Sequence, residues 1–596
     1  MKIIQYRVFL PIFFMVIGFT AVSLRLIHIQ LIHQEKYKQY AEKRHVGKIP
    51  LPARRGSIFD IHGQALAQTI TVYDVRMDCE LILKSPKVIP TIAQELDIPL
   101  FHLQRLIDPK NRYLLIKQNV PHDVIERLRS YRTPGLIFEE RSIRNYPNQE
   151  LLANLLGFLN HNGTGAAGIE RAMDRYLSGI PGERVVDKDG RQRPIPAFIR
   201  DETPPVDGYD VTLTIDLSIQ HIIEESLDGI MAEHRPHAAH VIVMRPKTGE
   251  ILAMGNRPSF NPNFRPTQLS SVRNRCLTDI LEPGSTFKIV TLAAAINEGL
   301  VNLDDTIDCE NGHFFYANEW LRDTQPHGLL TVEEIMMKSS NIGFAKIALM
   351  LRADRLYDYA WRFGFGQRTQ ILHNQGEAAG ILRPVHQWTK LSITRIPIGQ
   401  EVAATPLQMA NAMCVIANGG RLMMPRVIKR ITDSNGRIEK EYKPQIVRQV
   451  ITPHTARLVS QSLRSVVSRD GTAQAANIKG LEGRVAGKTG TAQKFIDGSY
   501  SRQKYVSSFI GYFPEDDPQV LILVIVDEPS NKEFYGGRVA APWFSYIGEQ
   551  IAEYLGIPRE STNPAPQYPL HQAKPSSRSV SIDPEISSYY NAEEYP

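Results

Sequence analysis

The stretch that most restricts the fold runs from Glu282 to Gly299. Pro283 and Gly284 are poor helix-interior residues, so the helix formers that follow predict a helix starting at about Ser285, with Gly299 at the C-cap position. Phe287, Ile289, Val290, Leu292, Ala293, Ala294, Ala295 and Ile296 leave that helix almost no polar face. A helix apolar nearly all round belongs in the middle of a domain. At its N-terminal end it carries a hydroxyl, Ser285, and an ammonium, Lys288, one turn apart on one face. A serine hydroxyl becomes a nucleophile when a base takes its proton. A buried lysine with a lowered pKa can be that base. The helix start adds N–H groups and a positive dipole end, which suit an oxyanion. A Ser-x-x-Lys tetrad also arises by chance, so its meaning depends on the remainder of the chain.

Length leaves room for two to four domains: the chain has 596 residues. Its 69 Lys+Arg against 63 Asp+Glu give a net charge of +6, too balanced to imply a nucleic-acid partner. Cys79, Cys276, Cys309 and Cys414 are widely spaced, which argues against a disulfide framework or a cysteine-based zinc site, and no metal or cofactor is expected. Val8 to Leu24 is uncharged and apolar, preceded by Lys2 and Arg7. No small-x-small cleavage site precedes Arg25, and the apolar pattern continues through Leu26, Ile27, Ile29, Leu31 and Ile32. We therefore expect an uncleaved single-span anchor over 8–28, with 1–7 on one side of the membrane and the rest on the other.

Beyond the anchor, Ile58-Phe59-Asp60 reads as a short strand and His62-Gly63 as a tight turn, opening a mixed α+β region that extends to about residue 200. Gly163-Thr164-Gly165-Ala166-Ala167-Gly168 formally matches a dinucleotide fingerprint. The preceding Leu151–Asn160 is helix-like, so the expectation is a flexible glycine turn before a helix at Ile169-Glu170-Arg171, and no nucleotide site. Pro204-Pro205-Val206-Asp207-Gly208 marks a boundary. Then follow a strand at Val211–Ile215, a helix from Leu217 to about Glu233 capped by Asp216, and a hairpin of Ala239–Met244 with Ile251–Met254. Thr331-Val332-Glu333-Glu334 is a capping box for a helix to about Lys338. Ser339-Ser340-Asn341 is then a turn before a helix starting near Ile342. Arg484–Gln493 reads as a strand whose glycines mark a close approach, and strands at Tyr505–Phe513 and Val520–Val526 complete an antiparallel meander. Residues 557–596 are poor in apolar side chains and read as a disordered tail.

Three signals now stand in order: Ser285-x-x-Lys288, Ser339-x-Asn341 and Lys488-Thr489-Gly490. Each is weak alone; the ordered set is that of penicillin-binding proteins and class A β-lactamases. Arg55-Gly56-Ser57-Ile58 with Asp60, Gly63, Leu66 and Ala67 resembles the opening motif of the membrane-proximal region of class B penicillin-binding proteins. Arg144, Tyr146 and Pro147, Gly168-Ile169-Glu170, Arg273-Asn274-Arg275 and Thr405-Pro406-Leu407-Gln408 are similar to later motifs of that family. Gly511-Tyr512-Phe513-Pro514, Val526-Asp527-Glu528-Pro529, Tyr535-Gly536-Gly537 and Ala540-Ala541-Pro542 look most like the division-specific branch. Met244 and Ile398-Gly399-Gln400-Glu401 depart from the family pattern, away from the three motifs.

The resemblance implies a β-lactamase-like α/β (α+β) transpeptidase domain over 205–556, an antiparallel sheet with helices on both sides. It also implies an elongated α+β pedestal over 45–200, after the transmembrane helix. It implies a peptidoglycan D,D-transpeptidase at the septum, inhibited by β-lactams, with its catalytic domain on the periplasmic side of the bacterial inner membrane. Ser285 would attack the carbonyl between two D-alanines of a stem peptide, and Lys288 would take its proton. Ser339 and Lys488 would relay a proton to the leaving group, and Asn341 would orient substrate and Lys288. Thr489, Gly490 and Thr491 would bind the substrate, the Thr491 N–H sharing the oxyanion with that of Ser285. The implied protein partners are a membrane peptidoglycan polymerase and other divisome proteins. An elongation-type enzyme, a β-lactam sensor or hydrolase, and a non-catalytic scaffold are the alternative readings.

Overall fold

In the computed structural model, residues 2–36, 38, 46–188, 194–266, 268–372, 376–496, 498–530 and 533–558 are described. Of the expected tail, 557–596, residues 559–596 lie outside them, whereas Ile557 is buried and belongs to the folded part, its N–H bonded to the Ala552 carbonyl. The chain divides into two compact units, Met1–Gly56 with Ser178–Tyr209, and Ser57–Leu177 with Asp210–Pro596.

In the first unit, an α-helix over Lys2–Ile27 passes into a π-helical stretch at His28–Ile32. Within it Phe9–Leu31, 23 residues, is long and apolar enough to cross a membrane, slightly longer than the sequence alone predicts. The strands Val46–Leu51, Gly182–Lys188 and Pro194–Thr203 form an antiparallel sheet, with Gly182–Lys188 in the middle.

The second unit holds two sheets of consequence. In the first, Ile58–Phe59 pairs with Ala65–Met77 and, in parallel, with Asp210–Leu213. That parallel pairing explains why 57–177 groups with the C-terminal part of the chain, although 45–200 reads as one region in the sequence. Ala65–Met77 also pairs with Leu114–Pro121 and Leu136–Asn145. Val75, Met77, Ile82, Ile92, Leu103, Ile125 and Leu128 form a separate core there. The Gly163–Gly168 turn is open at Gly163 but closely packed at Gly165 and Gly168. A Cβ on Gly165 would lie 2.1 Å from the Glu170 carbonyl oxygen, so backbone contact, not flexibility, demands the glycine.

The second sheet is central and antiparallel. Its strands are β1 (Ala238–Arg245), β2 (Glu250–Arg257), β3 (Ala486–Ile496), β4 (Ser499–Phe513) and β5 (Val520–Asp527), in the order β2-β1-β5-β4-β3. Every residue of β5 is buried whichever way its side chain points, so both faces of the sheet are covered. Leu217–His234 and Ala541–Tyr554 pack on it together, as do Pro406–Ala417 and Pro453–Val467. Asp216 caps the first of these helices through the amides of Ser218 and Ile219, as its position predicts. The apolar helix, α1 (Lys288–Asn297), is buried from Lys288 to Ile296. It packs against α3 (Asn341–Leu351), which follows α2 (Val332–Lys338).

Candidate active site

The α-helix does not begin at Ser285. Gly284–Phe287 is a 3-10 turn, and α1 begins at Lys288. Gly284 has φ +54, and its N–H donates to the Gly399 carbonyl at 3.2 Å, which fixes the entry of the chain into the turn. In a 3-10 turn residues i and i+3 eclipse, so Ser285 and Lys288 still share one side. Ser285 is partly exposed, whereas Lys288 is wholly buried. Among the described residues no hydrogen bond joins Ser285 Oγ to Lys288 Nζ.

Lys288 is held by the predicted turn. The Thr331/Glu334 capping box forms, and α2 ends at Ser339 in left-handed backbone, φ 58 and ψ 41. That conformation costs a non-glycine residue on the order of 1–3 kcal/mol. It turns the Ser339 carbonyl and hydroxyl toward the same ammonium: Lys288 Nζ donates to Ser339 O at 2.8 Å and Oγ at 3.1 Å. Its third bond, 2.8 Å, goes to Asn341 Oδ1. Ser340 caps α3, its hydroxyl accepting the Gly343 N–H at 3.0 Å.

Strand β3 closes the site. It is the edge strand of the central sheet and lies against the turn that carries Ser285: a Cβ on Gly490 would sit 3.1 Å from Thr286 Cγ2 and 2.3 Å from Ser508 Oγ. Lys488, fully buried, donates to Ser339 Oγ at 2.9 Å and to Thr489 O at 3.2 Å. Thr489 Oγ1 lies 3.2 Å from Thr472 Oγ1, and Thr491 Oγ1 accepts the Gly536 N–H at 3.0 Å. Ser285, Lys288, Ser339, Asn341, Lys488 and Gly490 therefore converge, with Thr489 and Thr491 on the same strand.

The electrostatics are set by burial without a counter-ion in contact. Burial pulls the Lys288 ammonium down to about 7, against the opposing pull of Asp323. Burial, and then the neighbouring Lys288, push Lys488 well below the ordinary lysine value. Both donate to the one hydroxyl of Ser339, and neither touches a carboxylate. A second positive charge there is strongly disfavoured.

Two residues at the site, Asp323 and Glu282, are given no role by the sequence reading. Asp323 accepts from Ser340 Oγ at 2.6 Å and from the N–H groups of Asn341 and Ile342, and so holds the Ser339–Asn341 turn at the start of α3. Arg322 O accepts from Asn341 Nδ2 at 3.1 Å. Glu282 Oε1 accepts from Glu401 N–H at 3.0 Å and Tyr500 O–H at 3.1 Å, and burial raises its pKa. Only its position just before Pro283-Gly284-Ser285 hints at this role. The four cysteines are buried and free, and no group of three potential metal ligands occurs among the described residues.

Residues 239–549 match the penicillin-binding protein transpeptidase domain and residues 50–213 the penicillin-binding protein dimerisation domain. The chain is 34% identical over 542 residues to the stage V sporulation protein D of Bacillus subtilis, covering 88% of this chain and 82% of that one. It is 31% identical over 516 residues to the peptidoglycan D,D-transpeptidase FtsI of Escherichia coli, covering 84% of each. The crystal structure of penicillin-binding protein 3 from Mycobacterium tuberculosis complexed with aztreonam is similar at 28% identity, with a TM-score of 0.67 over 86% of this chain and 98% of that one. With a dimerisation domain and a transpeptidase domain matched in succession, this chain belongs to the class B penicillin-binding proteins.

Proposed function

We propose that the chain is a septal peptidoglycan D,D-transpeptidase in which Ser285 forms the acyl-enzyme. One observation carries the residue roles: two buried lysines without a contacting carboxylate share a single hydroxyl, Ser339 Oγ, beside the nucleophile turn. Such a pair can hold a proton at either end and pass it through the hydroxyl. The carboxylate of a terminal D-alanine, bound by Thr489, Thr491 and Lys488, favours charge on Lys488 and so leaves Lys288 neutral. Lys288 then takes the proton of Ser285 as its Oγ attacks the carbonyl between the two D-alanines. The N–H groups of Ser285 and Thr491 hold the oxyanion, and Asn341 orients the substrate amide. The C–N bond breaks as Lys488, through Ser339, supplies a proton to the leaving amine. An amine of a neighbouring stem peptide next attacks the ester, the new amide forms, and Ser285 regains its proton. A β-lactam enters the same path and stops at the ester.

Labelled penicillin and mass spectrometry test this directly. The adduct is expected on the peptide containing Ser285, and Ser285→Ala should abolish it. An adduct on any other peptide would sink the assignment.

The septal role is supported by the motifs of β4, β5 and the segment after them, and it brings a membrane peptidoglycan polymerase and other divisome proteins as partners. Depletion should give long cells without septa; rounded cells that still divide would assign the chain to elongation instead. Phe9–Leu31 supports an inner-membrane anchor, with residues 1–7 cytoplasmic and the catalytic domain periplasmic. A mature N-terminus near residue 25 would contradict it. The segment from 558 on is dispensable in this reading, so a chain ending at 557 should still bind penicillin.

A further inference from the structure

Residues His313–Tyr316 and Glu319–Arg322 form a two-stranded hairpin turned by Ala317 and Asn318, both left-handed. Its two faces differ. On one, Leu321 is buried and the Phe314 ring lies 5.1 Å from Lys346 Nζ. The register places His313, Phe315, Trp320 and Arg322 together on the other. There Phe315 is 53% and Trp320 54% exposed, their rings 5.0 Å apart and tilted by 55°, with His313 6.5 Å from Trp320. Arg322 is exposed and makes no ion pair among the described residues. The same strand continues into the site, because Arg322 O and Asp323 hold Asn341 and its turn. An aromatic face with an unpaired cation thus sits at the end of the segment that positions Asn341.

Single exposed rings need no explanation, but a clustered aromatic face beside a reactive site marks a binding surface. Size decides what it can hold. Four residues per strand span about 13 Å, on two strands about 5 Å apart. That is far below the roughly 800 Å² per partner of a stable protein interface. It suits a narrow polymer. A pyranose ring presents a flat face of C–H groups that stacks on an aromatic ring, and a carboxylate on a branch of the polymer suits Arg322. We propose that this face, His313, Phe315, Trp320 and Arg322, is a saccharide subsite that holds the glycan backbone of the strand whose stem peptide enters the Ser285 site. The inference rests on the transpeptidase reading above and adds a place for the sugar.

The test uses the full chain in detergent, two substrates and a control. The substrates are uncross-linked glycan polymer bearing pentapeptide stems and the same pentapeptide without sugar; the control is the rate of acylation by labelled penicillin. Phe315→Ser/Trp320→Ser should raise KM for the polymer at least about tenfold, one step of 1.4 kcal/mol. Turnover of the free peptide and penicillin acylation should stay within about twofold, and Trp320→Tyr, which keeps a ring, should retain most of the preference for polymer. An unchanged polymer KM overturns the subsite. So does an equal loss on the free peptide, which would make the hairpin a mere support for Asn341. A defect seen only in membranes containing other envelope proteins, and absent with purified polymer, also overturns it in favour of a protein contact. Failure of the unaltered chain to react with penicillin would instead remove the transpeptidase reading.

Discussion

Lys488 and Lys494 stand on one strand, β3, and meet opposite fates. Lys488 is fully buried and donates to neutral oxygens of Ser339 and Thr489. Burial, then the charge of Lys288, push its pKa well down. Lys494 Nζ lies 3.0 Å from Asp527 and 2.7 Å from Glu528. Burial works against its charge too, but Glu528 and Asp527 more than offset it and raise the pKa. Lys346 on α3 is likewise buried and lies 2.6 Å from the Glu310 carboxylate. Burial alone therefore does not separate a reactive lysine from a structural one. What sets Lys288 and Lys488, the two lysines of the proposed site, apart is the absence of a contacting carboxylate.

Exchanging Lys288, the proposed base, breaks this contrast most sharply. Lys288→Arg keeps a cation but cannot give up its proton, so it should lower the penicillin acylation rate about as much as Lys288→Ala, by roughly 10²–10⁴-fold. An arginine variant within about tenfold of the unaltered protein would show that Lys288 supplies charge rather than basicity. The pH profile is the next largest effect. Lys288 is neutral above its value of about 7 and takes a proton below it. The acylation rate should therefore fall about tenfold per pH unit on the acid side, and decline again on the alkaline side once Lys488, whose pKa is also depressed, loses the proton it supplies to the leaving group. A flat profile between about pH 5 and pH 8 would contradict a neutral-lysine base.

Asp323→Asn sharpens the same point with a smaller change. The charge of Asp323 opposes the lowering of the Lys288 pKa, so removing it should move the break in the profile to more acid pH. The amide still offers one acceptor oxygen to the α3 N-terminus, so the maximal rate should drop only about tenfold, near the 1–3 kcal/mol of a weakened buried network. A rate loss with no movement of the break would make Asp323 a purely structural cap.

Local rules made part of this legible in the sequence. Asp216 and Thr331 cap helices because their side chains reach amides two or three residues away. The apolar run of α1 announced a buried helix carrying Ser285 and Lys288 at its start. Long-range contacts were not legible. Asp323 holds Asn341 across 18 residues, and Glu282 meets Glu401 across 119, so neither forms a motif with its partner. The 3-10 turn at Ser285 depends on Gly284 meeting Gly399, and the packed turn at Gly165 on the Glu170 carbonyl. Composition could not distinguish that turn from a flexible one. The pairing of Ile58–Phe59 with Asp210–Leu213 likewise crosses more than a domain's worth of chain, and it decides how the compact units divide.

Lys494→Met, set beside Lys488→Met, tests the contrast through stability and carries the smallest effect on rate. Methionine keeps most of the apolar stem and removes the charge. At position 494 the loss leaves the Asp527 side chain, only 4% exposed, without its cation. Stability should fall by about 1–3 kcal/mol, while acylation stays within about twofold. At position 488 the loss removes a buried amine with no contacting carboxylate, so the melting temperature should hold or rise while acylation collapses. The pH dependence of stability has opposite signs. Lys494 has a raised folded pKa, so its contribution is full below the unfolded value and disappears as pH rises through the folded one. Lys288 and Lys488 have depressed folded pKa values, so the unfolded chain binds more protons. Stability should rise with pH between about 7 and the ordinary lysine value, and Lys488→Met should flatten that rise. If Lys488→Met instead destabilises as much as Lys494→Met, Lys488 is a satisfied structural cation and the contrast fails.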